Sequence, residues 1–240
     1  MAKEQIVQGL AALLVAGAAT AFAASSTQAA DLYVPEPEQV LTVDAVDWTG
    51  FYLGGHVGYG WGTVEIEDSY DFFEGDVDDI DEYDIAGWLA GVQAGYNHQS
   101  GNLVFGIEAD LALAGITGDS GNADNDTLGT DVNWLGTLRG RAGFAADKLF
   151  FYGTVGVAAA GVTSWLIDDW QSDYFETSGV RYGWVAGFGA EMMVSDDISV
   201  KAEYLFHDFG SQDYVFDSDE TYITDHLTLS TIKVGINFHF

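Results

Sequence analysis

The sequence predicts an all-β fold, an eight-stranded antiparallel up-and-down barrel. Three observations lead to this prediction. Eight segments alternate apolar with polar or small residues, the period of two that is typical of strands. The chain has 30 glycines and only 2 prolines, and neither proline lies within these segments. Short turns and long connections alternate between the segments, which is the pattern of an up-and-down barrel.

Residues 1–29 predict a cleaved signal peptide. Lys3 gives a positive start, the run 10–22 is apolar, and small residues around Ala29 offer a cleavage site. The apolar run is shorter than the ~20 residues of a membrane-spanning helix. Residues 30–48 show little periodicity, and we interpret them as a flexible lead-in to a barrel at 49–240.

The first strand follows Trp48, where Phe51, Leu53 and Val57 fall on one face and His56 on the other. Further strands are predicted at 85–98, 102–114, 132–144, 149–162, 180–194 and 198–209. The last strand, 226–240, carries an apolar stripe made of Ile232, Val234, Ile236, Phe238 and Phe240. Each segment reaches the ~9–11 residues that a tilted membrane strand needs.

The connections differ in length and charge. Turns at 99–101, 145–148 and 195–197 are short, while long loops are predicted at 65–84, 115–131, 163–179 and 210–225. The long loops hold most of the acidic residues and neither lysine nor arginine. The faces predicted to point outward are apolar: Leu111, Leu113, Trp134, Leu138, Trp184, Phe188, Tyr204 and Phe206. A soluble barrel needs a polar outer face, so the sequence predicts a transmembrane β-barrel.

Three stretches, WTGFYLGGHVGYGWG at 48–62, QAGYNHQSGNLVFGIEADL at 93–111 and WLGTLRGRAGF at 134–144, carry a resemblance together with the terminal strand. The chain resembles the small outer-membrane β-barrels of Gram-negative bacteria, of the OmpA-like type, and among them the alphaproteobacterial surface-antigen and porin-family branch. The resemblance implies a place in the cell outer membrane, with the lead-in and short turns periplasmic and the long acidic loops extracellular.

The same resemblance implies partners: outer-membrane lipid, lipopolysaccharide and the barrel-assembly machinery. In that family the insertion machinery reads the terminal strand, which closes the barrel against the first strand. The stripe from Ile232 to Phe240 is therefore expected to act as the assembly signal.

Nine charged side chains lie within strands, on the face opposite the apolar stripe. They are Glu108, Asp110, Arg139, Arg141, Arg181, Glu191, Lys201, Glu203 and Lys233. A lysine or arginine facing lipid at mid-depth costs about 2–4 kcal/mol, so we expect these side chains inside the barrel. Buried charges need partners, so we expect an ion-pair network.

Partners follow from the predicted hairpins. A three-residue turn at 195–197 places Glu191 opposite Lys201, and Glu203 neighbours Lys233 on the next strand. The acids of the third strand face the same interior as the arginines of the fourth. An eight-stranded barrel is just wide enough for its own side chains to fill. We therefore predict a structural barrel with a filled interior, and a small porin-like channel is the alternative.

Other chemistry has weaker support. A net charge of −31 excludes nucleic acid as a partner. Spaced carboxylates at Asp76, Asp78, Asp79 and Asp81 are able to hold divalent cations, and a solvated acidic loop is the simpler interpretation. Some relatives in the resembling branch are described as haem-binding, so a surface ligand-binding protein is a further alternative. The five histidines, His56, His98, His207, His226 and His239, form no ligand motif, and no cofactor is predicted.

A catalytic site has one candidate. Some outer-membrane barrels modify lipid A with a His/Ser pair at the outer rim, and His207, Asp208 and Ser211 lie at that end of the seventh predicted strand. Three residues of common types at a strand end are poor support for acyl transfer. The sequence therefore predicts that the protein is not an enzyme.

Overall fold

The computed structural model describes residues 46–70, 82–121, 126–168, 173–215 and 222–240. In these ranges, eight antiparallel strands form a closed barrel in chain order, and β8 pairs with β1. The strands are β1 (Gly50–Tyr70), β2 (Glu82–Ser100), β3 (Leu103–Asp119), β4 (Asp126–Ala146), β5 (Leu149–Asp168), β6 (Asp173–Met193), β7 (Ile198–Val215) and β8 (Tyr222–His239). The predicted fold class is confirmed. The expected signal peptide lies outside the described residues.

No helix among the described residues is both long enough and apolar enough to cross a membrane.

The strands extend further than the sequence predicted at the end away from the short turns. β4 begins at Asp126 instead of 132, and β6 begins at Asp173 instead of 180. β1 continues to Tyr70, and β7 to Val215. The segments predicted as long loops therefore belong in part to strands, and the barrel is taller than the apolar stripes alone indicated.

The outer surface has two zones. Near the short turns, in what we call the lower zone, outward side chains are apolar and inward ones are polar; Phe51, for example, is 66% exposed. In the upper zone the polarity reverses, because Glu65 and Asp84 point outward while Val64 and Ile85 are fully buried inside. The lower zone has the polarity of a membrane barrel, and the upper zone has that of a soluble one.

A β-bulge explains one of the strand ends that the sequence missed. The register of β4 against β5 shifts between Val132 and Trp134, so Val132 and Leu135 are both buried inside the barrel. An extra residue changes the phase of the alternation. The apolar stripe on the outer face therefore stops at the bulge although the strand continues.

The interior is filled in three layers. Along β3, Val104 lies in an aromatic-rich layer near the turns, Glu108 and Asp110 lie in a charged layer, and Ile116 lies in an apolar layer above. The apolar layer also includes Leu135, Leu205 and Leu229, with further residues from every strand.

The end of the expected flexible lead-in is held in place. The Trp48 backbone N–H donates to Gln99 Oε1 at 2.7 Å, and its ring packs on Phe150 with 5.4 Å between centroids. Only 1% of Trp48 is exposed. Trp48 is held there because an indole that fills the aromatic layer is more stable inside it than in water. The lead-in before residue 46 lies outside the described residues, and its flexibility stays a prediction.

Candidate functional site

The structure brings eight of the nine expected charges together in one buried layer. Four are carboxylates and four are cations: Glu108, Asp110, Glu191 and Glu203, with Arg139, Arg141, Lys201 and Lys233. All eight are buried. The formal charges cancel, so the layer as a whole is neutral. We call this set the charged layer.

Arg139 on β4 joins three carboxylates. Its Nη2 donates to Glu108 Oε1 at 2.5 Å and to Asp110 Oδ2 at 3.1 Å, and its Nη1 donates to Glu203 Oε1 at 2.8 Å. Its Nε donates to Thr137 Oγ1 at 2.9 Å, and the Thr137 hydroxyl in turn donates to Asp110. Charge-assisted bonds of this kind are stronger than neutral ones. The guanidinium therefore links β3 and β4 to β7.

Glu108 on β3 is the most densely bonded carboxylate. Besides Arg139, it accepts hydrogen bonds from Lys201 Nζ at 2.8 and 2.9 Å and from the Tyr52 hydroxyl at 2.8 Å. The Nη1 of Arg141 lies 3.4 Å from its Oε2. The second carboxylate of β3, Asp110, accepts a hydrogen bond from Lys233 Nζ at 2.9 Å.

Arg141 lies between the charged layer and the aromatic layer below it. Its Nη1 donates to Glu191 Oε2 at 3.1 Å, and its Nε donates to Asn97 Oδ1 at 2.9 Å. The guanidinium carbon lies 4.5 Å from the centroid of the Tyr52 ring and 5.2 Å from that of Tyr152. An arginine over an aromatic face is stabilised by the ring quadrupole. The aromatic residues thus supply part of the environment of the buried cation.

Neutral polar residues complete the layer, and sequence reasoning missed them. Glu191 accepts hydrogen bonds from Ser199 Oγ at 2.5 Å and from Asn237 Nδ2 at 2.7 Å. Gln93 donates to Asn237 Oδ1 at 2.7 Å and contacts His56 Nδ1 through its own oxygen at 2.6 Å. All of these positions alternate in phase with the inward charges. That alternation is the sequence signal that identifies these neutral residues as inward-facing.

Two of the three expected sets of pairs are replaced by ion pairs between strands that are not neighbours in the sheet. The register does place Glu191 opposite Lys201 and Glu203 opposite Lys233. However, Glu191 forms its ion pair with Arg141, 3.1 Å away, and Lys201 forms its shortest one with Glu108. The expected contact between the acids of β3 and the arginines of β4 is present.

Arg181 is the ninth charge, and the structure places it apart from the others. It lies on β6, ten positions before Glu191 in the chain, and its Nη2 pairs with Asp225 Oδ1 of β8. Both side chains are buried in the upper part of the barrel. A buried carboxylate in this part of the barrel was not expected, because the sequence placed Asp225 in a loop.

The residues of the weakly supported catalytic candidate do not face one another. His207 is buried inside, where its Nδ1 lies 3.1 Å from the Leu229 carbonyl oxygen. Asp208 Oδ1 lies 3.0 Å from His226 Nε2 in a partly exposed pair, and Ser211 is exposed beyond a bulge in β7. Adjacent strand residues point to opposite faces, so His207 and Asp208 are unable to act together on one substrate.

Cation and haem ligands were the other candidates. In the described ranges, no group of three or more His, Asp or Glu side chains is arranged to hold a metal ion. The carboxylates at Asp76, Asp78, Asp79 and Asp81 lie outside the described residues. His56 and His207 are buried inside the barrel, whereas His98 is exposed on the outer face.

The expected assembly stripe lies on the outer surface of β8. Its five apolar side chains are all exposed on the lipid-facing side: Ile232, Val234, Ile236, Phe238 and Phe240. The Phe240 backbone N–H donates to the Phe51 carbonyl oxygen at 2.9 Å, so the stripe reaches the seam between β8 and β1.

Comparison with known proteins gives consistent matches. A sequence model described as the outer membrane protein beta-barrel domain matches residues 10–240. The 31 kDa outer-membrane immunogenic protein of Brucella melitensis is 33% identical, over 95% of this chain and 99% of that protein. The 22 kDa outer membrane protein of Rhizobium leguminosarum is 33% identical, over 82% of this chain and 80% of that protein. Among solved structures, Ail, the attachment invasion locus protein of Yersinia pestis, is similar at 12% identity with a TM-score of 0.41, over 80% of this chain and 99% of that one.

Proposed function

The chain belongs to the outer membrane protein β-barrel domain family, and from that premise we propose that this outer-membrane protein is a structural barrel whose interior is closed to solutes. One observation carries the proposal. Lys201 on β7 donates to Glu108 on β3 at 2.8 Å. These strands are four positions apart in a ring of eight described strands, so they lie on opposite sides of the barrel. The bond therefore crosses the interior.

The layers above and below support the same proposal. An apolar layer that includes Ile116, Leu205 and Leu229 lies on one side of the charged layer, and Trp48 with Phe150 lies on the other. A hydrated ion passing through would have to displace both packed layers and break buried, neutral ion pairs. Removing one partner of such a pair typically costs about 3–5 kcal/mol.

Planar-bilayer recording tests this function. We expect the purified, folded barrel to give no stepwise conductance. Lys201→Gln, which shortens and neutralises the cross-barrel side chain, is the variant to compare, and Ala202→Gln on the outer face of the same strand is its matched control. Regular conductance steps from the unmodified protein, with ion selectivity that changes in Lys201→Gln only, would establish a channel and refute the structural role.

Partners follow from this location. The outer membrane surrounds the lower zone with lipid and lipopolysaccharide. We further propose that the barrel-assembly machinery recognises the stripe ending at Phe240, and that divalent cations reduce repulsion among the extracellular acidic residues. Relatives are named as immunogenic proteins, which supports display of the loops at the cell surface. Protease added to intact cells should cut the long loops and leave the short turns intact.

A further inference from the structure

The outer surface of the lower zone carries a groove between β3 and β6. One row of paired residues across these strands reads Phe105, Ala142, Gly153 and Phe188. All four point outward and are exposed. Two small residues therefore lie between two aromatic ones, so Ala142 and Gly153 form a floor and Phe105 and Phe188 form walls. The surface pocket at this place is lined by these residues.

The paired residues on either side of this row show how the groove extends along the strands. On the side toward the turns, Phe144 pairs with Phe151, and their rings line the entrance. On the other side, Gly140 continues the floor along β4. The floor at Ala142 lies four residues from the end of β4, which is about 13 Å along the strand. That length is within one leaflet of a hydrocarbon core ~30 Å thick. The groove therefore lies at a depth that the acyl chains of one leaflet reach.

A cation lies in the turn that follows the entrance along the chain. Lys148, in the turn between β4 and β5, is exposed and forms no ion pair with any described residue. It is the only lysine or arginine after residue 3 that is not within a strand. The other charged residues described at this rim, Asp47, Asp147, Asp196 and Asp197, are acidic. Asp147 lies beside Lys148 in the same turn, and the turn at 99–101 carries no charge. Lys148 is therefore the one lysine or arginine among the described residues at the level of the turns, and its ammonium is the group there that a phosphate would pair with.

We propose that this groove binds an anionic glycerophospholipid, with one acyl chain between Phe105 and Phe188 and the phosphate beside Lys148. The inference rests on the proposed topology, in which the short turns face the periplasm and its phospholipid leaflet. Acyl chains already surround the barrel, so the groove gains little from the hydrophobic effect alone. The shape of the groove selects the place for the chain, and Lys148, which pairs with no carboxylate among the described residues, selects the headgroup.

Native mass spectrometry after reconstitution tests the proposal. The barrel is placed in vesicles of equal parts phosphatidylglycerol and phosphatidylcholine, extracted into mild detergent, and examined for retained lipid. We expect phosphatidylglycerol to be retained in preference. Lys148→Gln should lower that preference about fivefold, the effect of one basic residue near a lipid surface. Ser100→Glu, which changes the net charge equally at a different turn, should leave it unchanged.

Filling the groove provides the second variant. At Gly153 the nearest heavy atom to an added Cβ is the Gly187 carbonyl oxygen at 3.9 Å, so the backbone accepts a Cβ there and Gly153→Leu places a side chain over the floor. It should remove most retained lipid, whereas Ala202→Leu, on the outer face of β7, should not. Equal retention in these two variants, or no preference for phosphatidylglycerol in the unmodified barrel, would overturn the proposal. Conductance is a separate readout, so a channel would refute the sealed interior without affecting this result.

Discussion

Arg139 is the side chain on which most of the charged layer depends, because its guanidinium contacts three carboxylates. We predict that Arg139→Met, which keeps the stem and removes the charge, lowers the free energy of unfolding by about 3–5 kcal/mol. The reason is the carboxylate that remains without a cation. Urea unfolding of the barrel in detergent, followed by tryptophan fluorescence, measures the change.

A second substitution identifies the carboxylate that is left unpaired. Without Arg139, Glu108 keeps Lys201 and Asp110 keeps Lys233, but the nearest remaining cation to Glu203 is Lys201 at 3.9 Å. Glu203→Gln should therefore restore more of the lost stability in the Arg139→Met background than Glu108→Gln does. Greater rescue by Glu108→Gln would show that Glu108, and not Glu203, is the carboxylate left without a cation. This refines the sequence-based expectation, in which the acids of β3 were the partners of the arginines of β4.

Tyr52 combines a hydrogen bond to Glu108 with an aromatic face near Arg141, and two substitutions separate these roles. Tyr52→Phe removes only the hydroxyl, which lies 2.8 Å from the carboxylate. A bond to a charged group is worth about 1.5–3 kcal/mol, and we expect a loss of that order. Tyr52→Leu also removes the ring and should cost about 0.5–2 kcal/mol more.

Tyr182 provides the control, because it points outward and is 74% exposed. Tyr182→Phe should leave the unfolding midpoint unchanged. If the Tyr52→Phe and Tyr182→Phe proteins unfold at the same urea concentration, the buried hydroxyl contributes no stability.

At the scale of elements, β8 closes the barrel and ends in the outward apolar stripe. We predict that Phe240→Asp prevents normal accumulation in the outer membrane, because the proposed recognition residue is lost. Phe151→Asp on β5 is the matched control, since Phe151 is also outward and exposed near the turns. Both changes place a carboxylate against lipid, so only loss of recognition should separate them. Equal amounts of the two variants in fractionated outer membranes would contradict an assembly signal.

Strand number, order and hairpin register could be predicted from the sequence because they depend on local alternation. The pairing of Glu191 with Lys201 across a short turn is an example, and the structure has that register. The upper strand ends could not be predicted in the same way. Beyond the bulge at Val132 the inward face is apolar and the outward face is polar. An outward apolar stripe therefore no longer marks the strand there.

The partners within the charged layer were harder to predict than its members. The alternation of inward and outward residues along each strand placed the charged residues inside. It contains no information on which side chains meet across the interior. Lys201 reaches Glu108 on the opposite side of the barrel instead of Glu191, its neighbour in the sheet. Such a contact depends on strand tilt and stagger, which set how residues of distant strands line up. Those quantities belong to the closed barrel and have no local sequence signal.

At the scale of the whole molecule, the charges described inside the barrel cancel, and the described outer surface of the upper zone is acidic. The eight members of the charged layer cancel, and Arg181 pairs with Asp225. The net charge of −31 therefore belongs to the rest of the chain. Among the described residues of the upper zone, Glu65, Glu82, Asp84 and Glu176 are exposed on the outer face. Repulsion of this kind destabilises the folded state and is screened by salt, whereas buried pairs are screened much less.

We therefore predict that the barrel becomes more stable as ionic strength rises from ~0.01 M to ~0.1 M, over which the screening length shortens from about 30 Å to about 10 Å. A gain of 1 kcal/mol would raise the melting temperature by about 2–4 °C for a domain of this size. The Arg139→Met/Glu203→Gln protein should gain the same increment, because its interior charges are also buried. At equal ionic strength, Mg²⁺ should stabilise more than Na⁺ if divalent cations bridge the exterior carboxylates. Identical melting temperatures in the two salts would contradict the cation proposal, and a fall with rising salt would mean that the salt-sensitive charges are mainly attractive pairs.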